Sequence, residues 1–476
     1  MRPRVKFLND RLIVEIISEA IKLLVLKGVN LNHPTLLQRL ADRGCRVDFG
    51  KRCVKFTGDI IEDSLRSVPQ SIKLWNIEGT EYCDLSGDKV HFTPGSAAIK
   101  MLEYGTNQVR LATIDDMLQY TRIVEHLGNI DYSATAVVPD DVPRMIGDSI
   151  RLYALLKMTR KPIVTGAFTI AGFDVMRDLL LVVRGSKEAL REKPLTIFSC
   201  CPTSPFKWSD VTSDNTMKCA ELGIPVEFIT MPLAGLVSPI SLVGCLIQHT
   251  AETLSGIVIS QTTKPGAPIL YGGSPGTFNM RTMMPGIATL EAQMIDCAYA
   301  EIGQYLRIPT QAYIGLSDSK TLDGQAGFES GTGAYLATLA GINSISGPGM
   351  LFHESVQSLE KLVFDNEICG MSKRLAAGIE VREDFPSDAL FDELLQSKTL
   401  LIAEHTLKYI GVEHYVPGPT IDRASLRENK PPLTETAHNE VQKLLNKDPV
   451  CVLSTDQLHE LSSVMQNAAG EFKVSF

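Results

Sequence analysis

The chain has 476 residues, 44% hydrophobic and 21% charged, with a formal net charge of −9. Such a composition buries a large core and excludes a nucleic-acid binder, because neutralising phosphates takes clustered Lys and Arg and the basic residues here are scattered. Ten cysteines without framework spacing point to free thiols in a reducing compartment, and no HExxH, CxxC pair or phosphate-loop lysine supports zinc hydrolysis or nucleotide chemistry.

The pattern predicts two opening helices, Asp10 to Lys27 and Pro34 to Asp42, the second stopped by Gly44. Arg11, Glu15, Glu19 and Lys22 interrupt the apolar side of the first, so neither a signal peptide nor a membrane span is expected, and the location expected is cytoplasmic. A hairpin from Cys45 to Phe56 turns at Gly50. Alternating segments follow at Ile72 to Ile77, Glu81 to Leu85 and Lys89 to Thr93, the last two joined through Ser86, Gly87 and Asp88. Residues 1–108 are thus expected to form a helical and antiparallel appendage.

From Asp115 the rhythm becomes regular. Helices are predicted over Asp115 to Leu127, Arg144 to Thr159, Asp174 to Arg184, Asp210 to Leu222, Ser238 to Thr263, Pro285 to Leu306 and Gln325 to Gly341. Between them come short apolar strands: Tyr132 to Val138, Ile163 to Phe168, Leu195 to Ser199, Val226 to Thr230, Ile269 to Tyr271, Tyr313 to Ile314 and Ile342 to Ile345. Strands apolar on both faces are those of a parallel sheet, so the fold class is α/β. An eighth strand from Val109 to Ala112 or Lys89 to Thr93 would close a TIM (β/α)8 barrel, with 109–364 as its extent. No dinucleotide glycine fingerprint opens the series, which favours a barrel over an open sheet. Residues 365–476, with a proline-rich linker from Pro417 to Pro432, are expected to be a helical tail packed on the barrel.

In such folds ligands lie beyond the carboxyl ends of the strands. There the sequence places Gly166 and Phe168, Pro202 to Ser204, Met231 to Gly235, Gly272 to Ser274, Gly315 to Asp318 and Gly347 to Gly349, a wide mouth poor in acids and bases. Singly, Phe168, Phe206, Trp208, Tyr271, Phe278, Tyr313 and Phe352 read as caps on the core; together, with few carboxylates, they suit a quaternary ammonium ion. Arg281 and His353 stand where a carboxylate or phosphate would be held, or else pair with Glu291 and cap the helix near Glu354. Cys200 and Cys201, adjacent on a strand, point to opposite faces and would share a metal only if the backbone turned there. No metal site is expected. Gly331, Gly333 and Gly341 are explained by helix packing.

Several ordered motifs carry a family resemblance: GlyGlySerProGly from Gly272, SerAspSerLys from Ser317, AspGlyGlnAlaGlyPheGlu from Asp323, and AlaGlyIleAsnSerIleSerGlyProGlyMetLeu from Ala340. With the passage from Leu26 through ArgValAspPhe at Arg46 to Pro69, they make nearly the whole chain similar to the trimethylamine methyltransferase family. The resemblance implies a TIM barrel that passes a methyl group from an amine to the Co(I) corrinoid of a separate protein. Founding members carry pyrrolysine in the region corresponding to Lys320 to Glu329, where this chain has ordinary residues; it resembles the pyrrolysine-free subgroup, whose characterised members demethylate quaternary amines such as glycine betaine.

Physics agrees with that implication. A quaternary nitrogen leaves as a neutral tertiary amine without protonation, so the protein need only position the methyl group, exclude water and bind the cation on aromatic faces. The trimethylammonium is expected against Tyr313, Phe352, Phe168 and Tyr271, and the carboxylate against His353, Arg281 or the backbone of Gly95, Ser96 and Ala97. Ser317, Asp318, Gln325, Gly347 and Gly349 form the mouth motif, and no residue is assigned a catalytic role. Cobalamin is expected to arrive on a cognate corrinoid protein, with no cofactor tightly bound. Glycine betaine is the favoured substrate, while proline betaine, carnitine and choline share its head. A non-catalytic betaine-binding protein is the alternative. Neither nucleic acid nor membrane is an expected partner, and a homodimer is compatible with a partner docked at the mouth.

Overall fold

The computed structural model describes residues 2–95, 97–425 and 430–470. It is a mixed α/β fold in which eight short strands are each followed by a helix. The strands are β1 (His91–Thr93), β2 (Ser133–Ala134), β3 (Ile163–Thr165), β4 (Thr196–Cys200), β5 (Val226–Thr230), β6 (Ile269–Gly273), β7 (Gln311–Tyr313) and β8 (Ser344–Ser346). The helices are α1 (Ile114–His126), α2 (Gly147–Met158), α3 (Ile170–Arg184), α4 (Asp210–Leu222), α5 (Leu242–Thr263), α6 (Leu290–Tyr305), α7 (Gly324–Ala340) and α8 (Leu359–Ala377).

Strands β2 to β6 form one parallel sheet, and β7, β8 and β1 another. The expected neighbours β4 and β5 pair in parallel, Phe198 opposite Val226. Hydrogen bonds cross both seams between the sheets: Tyr271 N donates to Pro309 O at 2.8 Å and Asp131 N to Phe92 O at 2.8 Å. Helix starts follow the local chemistry. Thr169, Ser209, Thr289, Asp323 and Ser358 each accept a backbone N–H of the first turn, and Thr113 with Asp116 forms a capping box. Gly185, Gly223 and Gly341 end α3, α4 and α7 in the left-handed conformation.

Two boundaries move. The eighth strand is His91–Thr93, paired with Ser344–Ser346, whereas Val109–Leu111 runs antiparallel to Lys100–Leu102 in a separate sheet. The parallel sheet therefore begins inside the stretch 1–108 expected to be appendage. That strand carries a single large apolar residue, Phe92, so it lacks the apolar run that marks β3 to β6. Glu81–Leu85, expected to pair with it, pairs instead with Ile72–Trp75. At the other end α8 runs through the expected boundary at 364/365 and completes the series.

The long apolar α5 meets the length and composition of a membrane span, yet it lies buried, packed by the helices Asp10–Leu26 and Gly58–Ser67. Its apolarity is that of a core helix. In α7, a Cβ on Gly333 would sit 1.9 Å from the carbonyl oxygen of Ile314, so glycine is required by close helix-on-strand approach. Gly333→Ala should therefore lower unfolding free energy by about 1–3 kcal/mol, read by chemical denaturation. Unchanged stability would mean that α7 can shift freely.

Candidate functional site

A cavity of about 450 Å³ opens at the carboxyl ends of the strands. Its wall takes Ala97, Thr135, Thr165 to Phe168, Ser199 to Cys201, Ile229, Met231, Tyr313 and Glu354, with Arg151 and Asn215 from α2 and α4. Below it lies Glu227, fully buried in β5, whose Oε1 accepts a 2.6 Å hydrogen bond from the hydroxyl of Ser199 on the cavity wall. Its Oε2 has no protein partner, and burial pushes the carboxyl up to about 7. Gln311 Nε2, Thr93 Oγ1 and Ser346 Oγ are likewise buried without protein partners. Four polar side chains on these buried strands are thus short of a protein partner.

Glu354 supplies a second carboxyl. It accepts from Ser274 Oγ at 2.7 Å, and burial, helped by nearby Asp318, pushes it up to about 7. It ends a run of three left-handed residues, Phe352, His353 and Glu354, at φ 44°, 55° and 62°. Non-glycine residues hold that conformation only when their surroundings enforce it. Here Phe352 N donates to Ser319 O at 3.0 Å, and His353 Nδ1 lies 2.9 Å from Asp318 Oδ1.

Arg151 is buried at the wall. Its guanidinium donates to Thr135 O at 2.8 Å and to Asp148 at 3.2 Å, and it lies 4.8 Å from the centre of the Phe168 ring. Asp148 in turn accepts from Phe168 N at 2.7 Å, so one ion pair orients both the cation and the ring. Cys200 is buried and Cys201 exposed, and both line the cavity. Burial pushes the Cys200 thiol up to about 12, so it is no ready thiolate. Among the described residues no group of three or more His, Cys, Asp or Glu side chains is arranged to hold a metal ion.

The residues singled out from sequence scatter. Phe168, Tyr313 and Ala97 reach the cavity. Tyr271 does not: it is fully buried, and its hydroxyl donates to Thr250 on α5 at 3.0 Å. Alternation along β6 turns that ring toward α5. Phe352 packs with Leu102, Leu322 and Leu351 in a satellite cluster. Arg281 is exposed between the strands Gly276–Asn279 and Met284–Gly286, unpaired with Glu291 among the ion pairs described. Gly95 is buried where a Cβ would overlap Met350, and Ser96 lies outside the described residues. Ser317, Asp318 and Gln325 are gathered by Glu329: Ser317 Oγ donates at 2.6 Å, Asp318 N at 2.8 Å and Gln325 Nε2 at 3.0 Å. Gly347, at φ 131°, has no room for a Cβ against Gly315. Gly349 N donates at 2.7 Å to Asp365, which the fully buried Lys361 ammonium also contacts. These mouth-motif residues build the frame of the rim.

Glu227, Glu354 and Arg151 were not singled out. Glu227 did leave a signal, as the one charged residue in the buried strand ValGluPheIleThr. Around the mouth the loops expose Met145, Ile240, Met280 and Met283, an apolar, methionine-rich rim.

Residues 1–471 match the family model described as trimethylamine methyltransferase (MTTB). The chain is 27% identical to trimethylamine methyltransferase MttB of Desulfitobacterium hafniense (strain DSM 10664 / DCB-2), over 98% of this chain and 95% of that one. It is also 27% identical to a glycine betaine methyltransferase of Desulfitobacterium hafniense (strain Y51), over 87% of this chain and 86% of the other. Among solved structures, the Methanosarcina barkeri monomethylamine methyltransferase MtmB is similar at a TM-score of 0.48 and 12% identity, covering 93% of this chain and 95% of its own.

Proposed function

We propose, from the premise that the chain belongs to the trimethylamine methyltransferase family, that its methyl donor is a quaternary amine, with glycine betaine favoured, and its acceptor the corrinoid of a separate protein. The observation that carries the reading is the cavity itself, where the ring of Phe168 and the Tyr313 side chain stand with the Glu354 carboxyl above the buried Glu227. Aromatic faces and carboxyls titrating near neutrality attract a cation. The strand order and both hydrogen-bonded seams support a TIM barrel with this cavity at its mouth. The ten free cysteines accord with a cytoplasmic setting.

In this reading Phe168 and Tyr313 seat the ammonium head, and the charge of the head favours the ionised forms of Glu354 and Glu227. Arg151, rather than Arg281 or His353, stands within reach of a carboxylate tail. When its carrier docks, the corrinoid supplies the nucleophile for the methyl carbon; the exposed rim methionines suit the docking of that carrier protein. The chain's own work is to aim one methyl group outward and exclude water, and the departing tertiary amine requires no proton.

The test is anaerobic incubation with cob(I)alamin and a panel of glycine betaine, proline betaine, carnitine, choline and trimethylamine, following loss of the Co(I) absorbance. Turnover with a quaternary amine is expected. Binding without methylation would leave a betaine-binding protein, and turnover with trimethylamine alone would overturn the substrate assignment. Phe168→Ala should raise the apparent KM roughly 2- to 30-fold, the equivalent of one cation–π contact, with little change in kcat.

A further inference from the structure

Between α8 and the point where the chain rejoins the body, residues 379–416 form an arm with two helices, Asp388–Ser397 and Glu404–Glu413, neither of which has a buried residue. Its apolar side chains face outward. Ile379, Phe385, Leu395, Leu401, Ile402 and Val416 are each 74% to 89% exposed. Much of its charge is spent within the chain: Glu413 takes Arg374 at 2.8 Å and Arg382 at 2.7 Å, and Lys408 pairs with Glu383. The arm thus exposes its apolar side chains alongside its charges, without the buried apolar stripe of an ordinary surface helix.

We propose that this arm is the self-association surface of the protein, covered by the same arm of a second copy in a symmetric dimer. Eleven large apolar side chains between Ile379 and Val416 are at least 49% exposed. At ~100 Å² each they present on the order of 1,000 Å², against about 300–600 Å² for the largest patch on a typical monomer and about 800 Å² per partner in a standard interface. The position of the arm selects the occupant. It rejoins the body at Tyr415, whose hydroxyl donates to Glu367 at 2.9 Å and accepts from Asn129 at 3.1 Å. Asn129 lies between the end of α1 and the start of β2, at the end of the strands opposite the cavity. A second copy bound there leaves both cavities open, and an isologous contact closes on itself without growing a filament.

Sedimentation equilibrium of the full chain should give twice the 52.2 kDa of one copy. Leu395→Glu with Ile402→Glu should weaken association by about a hundredfold, with an unchanged circular dichroism spectrum because both side chains are exposed. Met280→Glu with Met283→Glu, on the rim of the cavity, should leave the mass unchanged. On the unaltered chain, amide exchange in Glu404–Glu413 should slow as protein concentration rises. A wild-type monomer throughout the micromolar range, association untouched by the arm variant, or dissociation by the rim variant would each overturn the assignment.

Discussion

Asp365→Ala should lower the free energy of unfolding by about 3–5 kcal/mol, because removing one partner strands a buried charge. The Lys361 ammonium is fully buried, and without Asp365 it keeps Ser330 Oγ at 2.8 Å. The same carboxylate holds the amide of Gly349, so the glycine turn after β8 loses an acceptor in the same step. Urea denaturation of the wild type, Asp365→Ala and the double variant Asp365→Leu with Lys361→Met is the measurement. The double variant should recover most of the loss, because an apolar pair of similar volume strands no charge. A single variant within about 1 kcal/mol of wild type would show that water reaches the pair.

Glu227→Gln should make the protein more stable than wild type at pH 9 by about 4 kcal/mol and leave the two equal near pH 4. The sign follows from the burial that raises the folded-state carboxyl to about 7. The unfolded value lies near 4.3, so between the two the folded state holds the proton. The stability supplied by the protonated carboxyl is complete below the unfolded value and is lost as pH rises through the folded one. Glutamine imitates the protonated acid and cannot ionise. Thermal melts from pH 4 to 9 decide the matter, and parallel curves for the two proteins would show that Glu227 does not titrate in this range. A bound cation should shrink the pH dependence of the wild type and leave that of the variant unchanged.

Strands β3 to β6 were legible because a run buried on both faces needs Val, Ile, Leu or Phe at successive positions. HisPheThr at β1 carries no such run; its place comes from pairing with β8, more than 200 residues away in the chain, which local periodicity does not encode. Loop composition marked the rim, and Phe168 and Tyr313 were found because an aromatic residue at a strand end is conspicuous. Tyr271 misled for a physical reason: one step along a strand exchanges the axis for the helix layer. Arg151 was hidden because its role depends on Thr135 and Asp148, one of which lies on a different element. Glu354 was hidden because its place depends on a left-handed backbone that no non-glycine sequence announces.

That left-handed run has a meaning for how the chain tolerates change. Each of Phe352, His353 and Glu354 gives up about 1–2 kcal/mol in its conformation, and glycine at any of the three would relieve it. Selection for stability alone would therefore draw this loop toward glycine. Of the three only Glu354 lines the cavity, and random mutagenesis scored only for heat resistance should gather glycines in this loop.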